Sequence, residues 1–343
     1  MPVADKLIVG TGSYLPDQIV TNDDIEAMAV DFDRARAGCT LDEWCRRQMG
    51  AIQRRRVAPG EGTSDMATAA AGRALEDACM NATDLDLIVL STITSDHRVP
   101  PTAALVQRDL GTQARFLQLD SACSGFVDAL MVADALLDRL GGEAALVIGT
   151  DAMSSYMDPQ KFRAQAIFGD GAGAVVLRRG AENGYGVKAY STGSSGADGF
   201  MVAVRAGGTK QPITKDVIAR REQYIELALK VIPTYGVAKM VQATQEVLAR
   251  ADACLTDVDW VVPHQASCNI VSETASQLGL PLERFILNFS SVGNTSAASV
   301  PIALDEANRM GCLRDGQRLV MPAVGAGMAW GAAYVVWHDY RRN

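Results

Sequence analysis

Histidine is scarce in this chain. Its three copies in 343 residues, His97, His264 and His338, lie far apart and show no metal-ligand spacing. A histidine-built metal centre is therefore excluded, and no metal is expected. The seven cysteines, at 39, 45, 79, 123, 254, 268 and 312, include no C-x-x-C pair and are odd in number, which argues against both a disulfide framework and a zinc knuckle. Most of them read as small buried hydrophobes. Positive charge is short as well: 32 Lys and Arg stand against 40 Asp and Glu, a net charge of -8. That balance opposes broad capture of nucleic acid, and the run Gln53 to Arg56 reads as a solvated face. No apolar run reaches bilayer length, and "MPVADKLIVG" lacks the basic start and long apolar stretch of a signal peptide. A cytoplasmic location, with neither membrane nor nucleic acid as partner, is the expectation. The dinucleotide fingerprint fails too, because "VGTGSYLP" carries Leu15 where the third glycine is required.

What the chain does have is apolar material, 48% of its residues, enough for a large core and for two domains of ordinary size. Strand-like runs ("KLIVGTG", "LDLIVLSTIT", "AALVIGTD", "GAVVLRR") alternate with helical patterns near Ser64 to Met80 and after Cys123, the signature of α/β layering. The order then repeats. "LDLIVLSTIT" from Leu85 is echoed by "VDWVVPHQAS" from Val258, and "ALVIG" from Ala145 by "RLVMP" from Arg318, each 173 positions on. At that offset Cys123 falls opposite Ser296, in another small-residue stretch that opens a helical pattern. A duplicated α/β unit is inferred, its halves packed about a pseudo-twofold axis with strand ends and helix starts facing a shared centre. Loop-rich "STGSSGADGF" and "RAGGTKQP" read as a surface excursion, followed by helices predicted over 216–231 and 237–251.

The centre of that arrangement carries the chemistry. A cysteine at a helix start feels unpaired backbone N–H groups and the positive dipole end, which favour thiolate; small neighbours in "SACSGF" allow close approach. Alone, Cys123 would read as structural. "VVPHQAS" sets His264 just past a strand, and "VGNTSAAS" sets Asn294 before the helix equivalent to the one after Cys123. A nucleophile and two hydrogen-bond donors are the set needed for acyl transfer and enolate stabilisation. "FGDGAG" is expected to form a tight turn and hairpin near the site, with Phe168 against the acyl group and Asp170 outside the chemistry.

Taken in order, "TLDEWCRRQMGAIQRRR", "SACSGF", "IFGDGAGAVVL", "VVPHQAS", "GNTSAASVP" and "GAGMAWG" resemble the β-ketoacyl-acyl carrier protein synthase III family of the thiolase superfamily. The resemblance runs from the first strand to the last. It implies a thiolase-like fold, a duplicated α/β unit in five layers (αβαβα), with an N-terminal half over 1–185 carrying the cysteine and a C-terminal half over 186–343 carrying His and Asn. It implies a homodimer, no cofactor, and coenzyme A or carrier-protein thioesters as substrates. Cys123 would take an acyl group from a thioester; a malonyl thioester would lose CO2 while His264 and Asn294 hydrogen-bond its oxygen; the resulting carbon nucleophile would attack the acyl-cysteine. The oxyanion would be held by the Cys123 backbone N–H and one from the loop Gly325, Ala326 and Gly327.

Departures from the family pattern concern delivery. Trp44 fits the grip on the adenine end of coenzyme A, but the two arginines of that grip fall on Gln48 and Phe162, leaving Arg46, Arg47 and Arg163 as substitutes. Ser267 stands where the family has Asn, and "CNIVSETASQLG" offers no basic residue to an acidic carrier protein. The family's Met-Asp-Gly segment is replaced by "LALKVIPTYGVAKM". These changes favour a specialised condensing enzyme, serving a secondary metabolite or lipid, over the housekeeping starter of fatty-acid synthesis. The alternatives are an acyltransferase that forms no C–C bond and a non-catalytic partner subunit, against which the cysteine itself argues. A degradative thiolase would need a cysteine where Met328 stands, and a hydroxymethylglutaryl-CoA synthase a glutamate near Ser64 and Asp65.

Overall fold

The structure is a computed structural model and describes residues 5–180 and 184–340. Its apolar runs form two sheets of matching order. In the first, the strands lie in the order Lys6–Tyr14, Asp170–Arg179, Ala144–Ala152, Leu87–Ser91 and Arg115–Leu119. In the second they lie in the order Gly186–Ser194, Ala329–Val336, Arg318–Gly325 and Trp260–Val261. Phe285, which bridges to Val261 in parallel, takes the fifth place. Directions match as well: the two outer strands on the antiparallel side pair antiparallel, and Leu87–Ser91 and Trp260–Val261 run parallel to their neighbours.

Three helical layers separate and cover these sheets, which gives the five-layered α/β sandwich of the thiolase fold. Thr63–Asp77 and Thr102–Leu110 cover the outer face of the first sheet, and Ile232–Arg250 and Cys268–Leu278 that of the second. Gly125–Leu140 and Ser299–Arg309 lie between the sheets. Nine of the eleven residues in Ser299–Arg309 are buried, as a helix must be when both of its sides meet a sheet. Leu87–Ser91 is buried throughout, the pattern of a parallel strand covered on both faces.

The inner helices fix the relation between the halves. Each is entered through a short 3-10 turn, Ala122–Ser124 in one half and Ser296–Ala298 in the other. The first residue of each turn is left-handed, Ala122 at φ 46° and Ser296 at φ 53°. Ser296 is therefore the counterpart of Ala122, one place off the equivalence inferred from the sequence. Strand pairing explains the slip: Leu87 faces Ala145 while Trp260 faces Leu319, so the second half has gained one residue between those strands.

Three further expectations are corrected. The helix predicted over 216–231 is a short one, Lys215–Arg220, followed by the strand Ile225–Leu227, and the next helix begins at Ile232 rather than at 237. Strand Asp170–Arg179 pairs with Ala144–Ala152 across an intervening 3-10 turn and helix, so "FGDGAG" forms no tight hairpin. The Arg54 side chain is not solvated: it is fully buried and donates to Asn22 Oδ1 and to the carbonyls of Val20 and Ala166. Among the described residues no helix is long and apolar enough to cross a membrane, and no group of three or more His, Cys, Asp or Glu is placed to hold a metal.

Candidate active site

The C-terminal ends of the parallel strands and the starts of the two inner helices enclose a cavity of about 300 Å³, on which Cys123, His264 and Asn294 all open. Binding crevices at strand carboxyl ends are the rule in α/β folds. The turn at Ala122 delivers Cys123 to it. A side chain at Gly125 would collide with Ser91 Oγ, so only glycine lets the helix start this close to the first sheet. Across the seam, a Cβ on Gly325 would lie 2.7 Å from the Cys123 backbone nitrogen, so the glycine loop lies directly against that amide. Gly325 and Ala326 line the cavity; Gly327 does not, and its carbonyl packs against Gly199 instead.

The thiol does not behave as the helix start suggested. Burial raises Cys123 to about 12, the Asp151 charge adding to the rise and a hydrogen bond to Ser296 opposing it. Sγ lies 3.6 Å from Ser296 Oγ.

His264 sits just beyond the two-residue strand Trp260–Val261, past Pro263. The register nonetheless holds, as the His264 N–H donates to the Pro322 carbonyl over 2.8 Å. Burial drives the imidazole down to about 3, so it is neutral. Its Nδ1 lies 2.6 Å from Ser299 Oγ, which accepts from the Gln265 N–H. In the tautomer where the serine proton points at Nδ1, Nε2 carries the ring hydrogen and is a donor. Ser299 was missed in the sequence, hidden in a run of small residues.

Asn294 is clamped by its backbone, donating to the Ile167 carbonyl and accepting from Gly169 N–H, next to a bridge with Phe168. Its Oδ1 accepts the Ser296 N–H over 2.8 Å, which leaves the amide NH2 as the end available to donate, and the side chain makes a small contribution favouring the Cys123 thiolate.

The predicted binding residues divide. Phe168, Trp44, Arg163 and Ser267 line the cavity; Arg46 and Arg47 do not. Arg46 pairs with Asp42 at 2.7 Å and Arg47 reaches Cys39. The Arg163 guanidinium lies 5.6 Å from the Trp44 ring centre, and Ser267 caps the helix Cys268–Leu278 by accepting the Ile270 N–H. Val202, between the two loop-rich stretches, and Ile225, Leu227 and Leu229, within the predicted helix 216–231, also line the cavity.

Residues 117–196 match the family described as 3-oxoacyl-(acyl-carrier-protein) synthase III, and residues 248–337 its C-terminal part. A beta-ketoacyl-(acyl-carrier-protein) synthase III from Rhodopirellula baltica is 37% identical, over 96% of this chain and 98% of its own length. The crystal structure of a 3-oxoacyl-(acyl carrier protein) synthase III from Pseudomonas aeruginosa PAO1 superposes with a TM-score of 0.86 at 34% identity, covering 98% of this chain and 99% of that one. The priming beta-ketosynthase of the R1128 polyketide biosynthetic pathway superposes with a TM-score of 0.87 at 28% identity, over 99% and 98% of the two chains.

Proposed function

Since the chain belongs to the 3-oxoacyl-(acyl-carrier-protein) synthase III family, we propose that it joins an acyl primer, held on Cys123, to a malonyl thioester and releases a β-ketoacyl thioester and CO2. The observation that carries this reading is the meeting of one thiol and two neutral donors, His264 Nε2–H and the Asn294 NH2, on a single cavity. Cys123 Sγ attacks the primer thioester, forms the S–acyl bond and expels the first thiol. The malonyl thioester then occupies the same cavity with its carbonyl oxygen on His264 and Asn294. As the carboxylate leaves as CO2, negative charge develops on that oxygen, and two preorganised donors meet it. A neutral imidazole suits the task, since it donates without having to lose a charge. The enolate carbon attacks the acyl-Cys123 carbonyl, whose oxyanion faces the Cys123 amide and the Gly325 loop, and collapse expels the Cys123 thiolate, which takes up one proton from solvent to restore the thiol.

A specialised primer is supported by the apolar wall of Val202, Ile225 and Leu227 and by the likeness to a polyketide priming synthase. The Trp44–Arg163 pair at the cavity is suited to the adenine of coenzyme A, and a homodimer is part of the same reading. Incubating the protein with an acyl-CoA and a malonyl thioester, with CO2 trapped and the product weighed, tests it. One CO2 per β-ketoacyl thioester is expected. Acyl transfer to an acceptor without CO2 would reduce the activity to acyltransferase, and preference for acetyl-CoA over longer or branched primers would return the enzyme to fatty-acid initiation.

A further inference from the structure

Acyl loading needs somewhere for the Cys123 proton to go, and the donors described above do not provide it. His264 is held neutral down to about pH 3, and its Nδ1 is occupied by Ser299. The hydroxyl of Ser296 is the group hydrogen-bonded to the sulfur, at 3.6 Å. Beyond it lies Asp151, a fully buried carboxylate with no ion-pair partner among the described residues. Its Oδ1 accepts from Thr92 Oγ1 at 2.9 Å, Ile93 N at 2.8 Å and Thr94 Oγ1 at 3.0 Å, and Oδ2 accepts from Ala297 N at 3.2 Å. Burial raises this carboxylate to about 6 and the Ser296 hydroxyl opposes the rise; the Ala297 N–H on Oδ2 sets Ser296, its chain neighbour, beside the acid. The titratable groups that sense it are the Cys123 thiol and the Tyr156 phenol. A buried carboxylate without a counter-ion is costly to keep in a core, and such groups are enriched at functional sites.

We infer that Ser296 is a catalytic residue and Asp151 the residue behind it in a proton relay, Cys123 to Ser296 to Asp151, that serves acyl loading. The inference rests on the reading of Cys123 as nucleophile. As Sγ bonds to the thioester carbon, its proton passes to Ser296 Oγ and the serine proton to an Asp151 oxygen. When the bond to the leaving sulfur breaks, the proton returns by the same path, and the first thiol departs neutral. Charge and proton count are unchanged over the step. The carboxylate is suited to the work because its affinity for protons is intermediate between that of an exposed acid and that of the thiol.

The test is single-turnover loading of an acyl-CoA, followed by intact mass from pH 6 to 9, on wild type, Ser296→Ala, Asp151→Asn and Asp151→Glu. Ser296→Ala removes one buried oxygen and protects the test against misfolding of the Asp151 variants. General-base assistance contributes about 10²-fold or more. At pH 7 both Ser296→Ala and Asp151→Asn are expected to load about 10²-fold more slowly than wild type, with the deficit shrinking towards pH 9 as thiolate forms without help, and with Asp151→Glu regaining part of the rate. Ser296→Ala loading at the wild-type rate, or a deficit equal at every pH as a merely structural defect would give, overturns the relay alone. A wild type that gains no acyl mass overturns the acyl-cysteine reading and the relay with it.

Discussion

Each polar side chain at the centre has one end tied down so that the other is free to act. Asn294 spends Oδ1 on the Ser296 amide, and His264 spends Nδ1 on Ser299. Removing either donor, by Asn294→Ala or His264→Ala, should cost about 3 kcal/mol of enolate stabilisation. Turnover should fall 10²- to 10³-fold while acylated Cys123 accumulates, as intact mass would record. Ser299→Ala removes only the tie, and a lost hydrogen bond of about 1 kcal/mol predicts a several-fold fall in condensation with loading unchanged. Cys, His and Asn were legible because their residue types and neighbours are distinctive. Ser299 and Asp151 were not, since a serine among small residues and an acid at a strand end signal nothing until the chain folds. Of the arginine substitutes Arg163 lies on the cavity, and Arg46 and Arg47 stand off it for a helical reason. Trp44 and Gln48 are four apart and share a face of Leu41–Met49, whereas Arg46 and Arg47 turn away from it.

The element that sets the apolar wall of the cavity is the strand Ile225–Leu227. Ile225 and Leu227 line the cavity and Glu226 between them pairs with Arg205 at 2.7 Å on the other side, the two-residue alternation of a half-buried strand. That alternation stands in the sequence, but three residues are too few to outweigh the surrounding helical pattern, and a helix was predicted. Enlarging the wall tests its role. Ile225→Phe and Leu227→Phe should shift preference towards short primers, lowering kcat/KM for long acyl-CoAs by about tenfold or more while short ones are spared. A competition assay over a graded series of acyl-CoAs would read it, and equal losses at all lengths would remove this strand from primer selection.

Over the whole molecule the duplication is the organising fact, and most of it was visible as paired apolar runs at a fixed offset. The single-residue slip was invisible, because an ungapped comparison of similar strands tolerates an error of one. Its consequence is chemical: the counterpart of Ala122, not of Cys123, supplies the hydroxyl beside the sulfur. The seam between halves is tight at Gly325, whose backbone meets the Cys123 amide. Gly325→Ala should wedge the halves apart, costing about 1–3 kcal/mol of stability and most of the loading activity, measured as a lowered Tm beside a lowered rate. A pH dependence also belongs to this scale. Because burial raises Cys123 to about 12, little free thiolate exists at neutral pH. Iodoacetamide should label the thiol of the Asp151→Asn variant slowly at pH 7 and ever faster towards pH 10 without a plateau. The measurement that bears most directly on the account is the intact mass of the wild-type protein and of Cys123→Ala after exposure to a panel of acyl-CoAs. One acyl group should be gained by the wild type and none by the variant, and the gain should vanish on addition of a malonyl thioester. An unchanged wild-type mass, or the same gain in Cys123→Ala, would contradict it.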